Sequence, residues 1–97
     1  METVLPNVMG YKLIMNKMDP KQCTVLVTAG DANGKPVTLI KKENLYLLDA
    51  IFLLEDYGCD PYETQLATEV MEQEGHDTAN FGMLGTFLYS EYNGVRQ

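Results

Sequence analysis

Hydrophobic and polar residues alternate along the first part of the chain and then recur every three or four positions, with the change near Lys42–Asn44. From Gly10 onward, alternation places Tyr11, Leu13 and Met15 on one strand face and Lys12, Ile14 and Asn16 on the other. Asp19-Pro20-Lys21-Gln22 predicts a turn, because proline favours the second position of a type I bend. The following run is rich in β-branched residues and sets Cys23, Val25, Val27 and Ala29 opposite Thr24, Leu26 and Thr28. A connection tightest at Asn33-Gly34 leads to a third strand, opened by Pro36 where a missing N–H donor does least harm. Residues 10–42 are therefore expected to form a three-stranded antiparallel meander, preceded by an extended lead-in over residues 1–9. Its second face mixes Lys12, Thr24 and Thr28 with Ile14 and Leu26, which suits either a solvated surface or a contact with another copy.

Beyond the change of period, Asn44 is a suitable N-cap for the most apolar run in the chain. Over residues 45–57 only Asp49, Glu55 and Asp56 interrupt apolar side chains that cover nearly the whole helical circumference. Such a helix is expected to be central and buried from two sides, and Gly58 ends it. Asp60-Pro61-Tyr62-Glu63 then combines an acidic cap, a proline at the first helical position and a glutamate three residues past the cap. That predicts a second helix from Pro61 to about Glu74, stopped by Gly75. Asp77 can cap a third over Thr78–Tyr92, where Met83, Leu84, Phe87, Leu88 and Tyr92 follow helical spacing. Gly82 and Gly85 oppose it at about 1 kcal/mol each, and a strand over Thr86–Tyr89 is the alternative. The expectation is a single α+β domain over residues 1–97: a three-stranded antiparallel sheet followed by three helices packed on one face.

Charge sharpens this division. Residues 1–42 carry six lysines against three acids, whereas residues 43–97 carry eleven acids against Arg96 alone. The overall charge of −7 thus comes from an acidic helical part that repels phosphates and attracts basic partners, which disfavours direct nucleic-acid binding. With 45% hydrophobic residues the chain can build a core, yet its longest apolar run is too interrupted to span a membrane. The start METVLPNVMG lacks the basic, then apolar, pattern of an export signal, so Cys23 and Cys59 are expected as reduced thiols in a cytoplasmic protein.

Candidate chemistry is sparse. His76, the only histidine, falls in an expected interhelical turn, and a general base there needs a substrate proton within reach. Cys59 and His76 would stand at opposite ends of the second helix, roughly 20 Å apart, too far for a dyad. Asp31-Ala32-Asn33-Gly34 resembles a fragment of a calcium loop without its remaining ligands. Phosphate loops, dinucleotide fingerprints and zinc-type cysteine spacings do not occur. Neither an enzymatic activity nor a metal or cofactor is expected.

Surface is what remains. Asp49, Glu55, Asp56, Asp60, Glu63, Glu69, Glu72, Glu74 and Asp77 cluster in about thirty residues, and the aromatic residues Phe52, Tyr57, Tyr62, Tyr89 and Tyr92 accompany them. They are either the solvated outside of the helices or a row of carboxylates that imitates phosphates. In size and charge the chain is similar to the small acidic proteins that bacteriophages make against host nucleases, including DNA mimics and anti-CRISPR proteins, although it shares no motif with them. The expected function is a non-enzymatic binding protein that inhibits or regulates a nucleic-acid-handling protein with a basic surface, acting in the host cytoplasm if phage-encoded. Asp49, Phe52, Asp56, Tyr62, Gln65, Glu69, Glu72, Glu74 and Asp77 would form its contact surface. The alternative is a self-associating assembly protein, a homodimer joined through the sheet face or its oppositely charged halves.

Overall fold

A computed structural model describes residues 8–16 and 22–94. Of the lead-in expected over residues 1–9 and the turn expected over Asp19–Gln22, residues 1–7 and 19–21 lie outside the described residues, while Val8, Met9 and Gln22 belong to strands. Three strands, β1 (Val8–Asn16), β2 (Gln22–Gly30) and β3 (Pro36–Leu45), are followed by helices α1 (Leu47–Asp56) and α2 (Pro61–Glu74) and by strands β4 (Thr78–Phe81) and β5 (Phe87–Glu91). All five strands belong to one antiparallel sheet of order β3-β2-β1-β4-β5.

The coarse α+β class holds, but the expected three-stranded sheet with three helices is wrong. Residues 78–92 form a β-hairpin rather than a helix. Once β2 pairs along one side of β1, the N–H and C=O groups on the other side still need partners, and β4 supplies them. Tyr11 thereby stands between Val27 and Phe81, and Leu13 between Val25 and Ala79. The apolar spacing that imitated a helix divides differently. Phe81 and Phe87 turn inward and meet edge to face, with ring centroids 5.9 Å apart, while Met83 and Leu84 occupy the turn between their strands.

Alternation along β1 and β2 has its structural counterpart in one fully covered face. Leu13, Val25, Val27 and Ala79 are inaccessible to solvent, as are Ala50 and Leu54 of α1 and Ala67 of α2; Met71 of α2 is nearly so. Together they form one core between the sheet and the helices.

The expectation of a central helix buried from two sides also fails. With no third helix above it, α1 packs against the sheet layer and leaves Leu48 and Phe52 more than half exposed. Nor does Asn44 cap it. Asn44 has φ 62°, a left-handed conformation that asparagine tolerates, at the end of β3; the N-cap is Tyr46, which makes no side-chain capping bond.

Candidate functional site

The acidic surface is built by local rules at α2. Asp60 Oδ1 accepts from Tyr62 N at 2.8 Å, Pro61 opens the helix, and Gly75 closes it at φ 71°. Glu63, the expected capping-box partner, instead accepts from Phe87 N through Oε1 at 2.8 Å. That bond ties the first turn of α2 to the start of β5.

Of the residues expected to make contact, Asp49, Phe52 and Asp56 lie exposed on α1, and Tyr62, Gln65, Glu69, Glu72 and Glu74 lie exposed on α2. Gln65 Nε2 donates to Glu69 Oε2 at 3.3 Å, a bond that fixes neither side chain tightly. Asp77 is different. It is fully buried, and its Oδ1 accepts from Thr78 Oγ1 at 3.0 Å and from Asn93 N at 2.6 Å, so it anchors the chain after β5 rather than facing a partner.

Glu69 and Glu72 border a cleft of about 560 Å³ between the end of β1, the start of α1 and the second half of α2. Met15, Leu47 and Met71 supply its apolar lining, and His76 completes the rim. His76 Nδ1 lies 2.7 Å from Ser90 Oγ, a pairing between a helix exit and β5 that no sequence spacing signalled. Neither helix carries a lysine or arginine; the described lysines stand on the strands and the β2–β3 turn. Among the described residues Lys41 Nζ pairs with Glu43 Oε2 at 3.2 Å on β3, and no helical carboxylate forms an ion pair.

No family model, curated protein or solved structure matches this chain.

The calcium-like fragment is a turn: Asp31 Oδ1 accepts from Asn33 N at 2.8 Å and Lys35 N at 2.9 Å. Among the described residues no three histidine, cysteine, aspartate or glutamate side chains are grouped to hold a metal ion, and no helix is long and apolar enough to cross a membrane.

Cys23 and Cys59 are both buried and are not joined to each other. Burial, reinforced by the nearby charge of Glu55, pushes the Cys59 thiol up from 9.0 to about 12. The folded state therefore holds a proton that the unfolded chain loses above about pH 9, so this contribution to stability is complete below that pH and disappears as pH rises toward about 12. Iodoacetamide is accordingly expected to leave Cys59 unlabelled in the native protein at about pH 8, where the denatured chain reacts. Rapid native labelling at that pH would contradict the burial of this thiol.

Proposed function

We propose that this chain is a non-enzymatic binding protein that inhibits or regulates a nucleic-acid-handling protein, its acidic helical layer occupying a basic groove in the manner of small phage antagonists. The observation that carries the reading is the placement of Glu55 and Asp56 in the last turn of α1 and of Glu72 and Glu74 in the last turn of α2, with no basic residue in either turn. A helix C-terminus is the negative end of the macrodipole, where each exposed carboxylate opposes helix stability by about 0.3–1 kcal/mol. Helix stability therefore does not account for these acids, whereas attraction to a cationic surface does. Leu48, Phe52, Tyr62 and Leu66 are exposed on the same two helices and provide apolar contact between the charges.

Partners captured on the immobilised protein at about 0.1 M salt are expected to elute both at about 0.5 M salt and with short duplex DNA at low salt. Capture that persists through both treatments would reject phosphate imitation.

A further inference from the structure

We propose that the turn between β4 and β5 is a preformed apolar anchor, with Met83 and Leu84 packing on an apolar surface of a partner whose rim carries lysine or arginine. Leu84 is 81% exposed, the largest value for any large hydrophobic residue described, and Met83 is 61% exposed. Contiguous exposed apolar surface is a feature of contact sites. The backbone beneath them is closely tied: Gly82 N donates to Thr86 O and Gly85 N to Gly82 O, each at 2.9 Å. Gly85 itself rests on Gly58 and Cys59, so closely that an added Cβ would lie 2.6 Å from Cys59 Cα and Gly58 O. The two side chains are thus presented from a constrained backbone, which lowers the ordering cost of binding.

The surroundings define the partner. The turn's seat, Gly58–Cys59, is bracketed in sequence by exposed Asp56 and Asp60, and the Glu63–Phe87 bond keeps the first turn of α2, with 74% exposed Tyr62, at the same end of the molecule. A second copy docking tip to tip would oppose these carboxylates with its own, whereas a basic rim complements them. The inference rests on the proposed binding function and adds where the partner is gripped.

The test uses the full chain with ¹³C-methyl methionine, titrated with an amphipathic helical peptide of leucine and lysine and with its leucine–glutamate counterpart. The lysine peptide is expected to shift the Met83 methyl, while the glutamate peptide leaves it in place. Leu84→Ser, at a solvent-exposed position, is expected to weaken binding about tenfold with an unchanged circular dichroism spectrum. Wild-type affinity in that variant, or shifts confined to Met15 beside the cleft, would overturn the anchor. In either case the acidic-face reading survives if Glu69→Lys/Glu72→Lys abolishes binding; unchanged affinity in both variants removes both readings. A Met83 shift that depends on protein concentration without peptide would assign the tip to a second copy and overturn the proposal.

Discussion

Gly85→Ala is expected to cost the fold about 3 kcal/mol, from a left-handed backbone disfavoured for alanine together with a main-chain clash. Gly85 has φ 75°, and the atoms 2.6 Å from its added Cβ are Cys59 Cα and Gly58 O, which are main chain and cannot swing aside like a side-chain tip. Relief requires the β4–β5 turn to lift from the α1–α2 connection, straining the neighbouring bond from Phe87 N to Glu63 Oε1. Gly34→Ala provides the internal comparison. Gly34 has φ 80° with nothing within 4 Å of its added Cβ, so only the conformational penalty of about 1 kcal/mol applies. Urea denaturation of the two variants isolates the clash. Equal losses would mean that the turn is not seated against Cys59.

Glu69→Lys/Glu72→Lys is expected to reduce affinity for a captured partner by about a hundredfold or more while leaving the fold intact. Both residues are exposed on α2 and border the same cleft, so reversal replaces two attractions to a basic surface by two repulsions. Stability should move the other way by a few tenths of a kcal/mol, because lysines in the second half of α2 complement the helix dipole. Isothermal titration at low salt, paired with thermal denaturation, measures both. Undiminished affinity in a folded double variant would remove the electrostatic mechanism, and weaker binding explained by unfolding would leave a lower melting temperature as its signature.

Part of the fold was legible because its causes are local. The faces of β1 and β2 follow from alternation, and the burial of Leu13, Val25 and Val27 matches it residue by residue. Asp60, Pro61 and Gly75 bound α2 where their own backbone preferences place them. The candidate surface was legible to the same extent: the exposed glutamates of α2 needed only the helical period.

Other features depended on segments distant in sequence. Met83, Leu84, Phe87 and Leu88 satisfy helical spacing as well as a hairpin, and periodicity alone cannot choose between them. The glycines on either side of Met83-Leu84, between TANF and TFLYSE, carried the hairpin signal. Asp77 resembled a helix cap until Asn93 N and Thr78 Oγ1 enclosed it, and Glu63 resembled a capping-box residue until β5 offered a backbone donor. The chain by itself therefore determined the strand faces, the bounds of α2 and the acidic character of the helical layer. Only tertiary structure decided that α1 would remain half open and that an apolar turn would be held at the tip. The physical reason is that β1 has two hydrogen-bonding sides, and which later segment satisfies the second depends on contacts across the whole sheet.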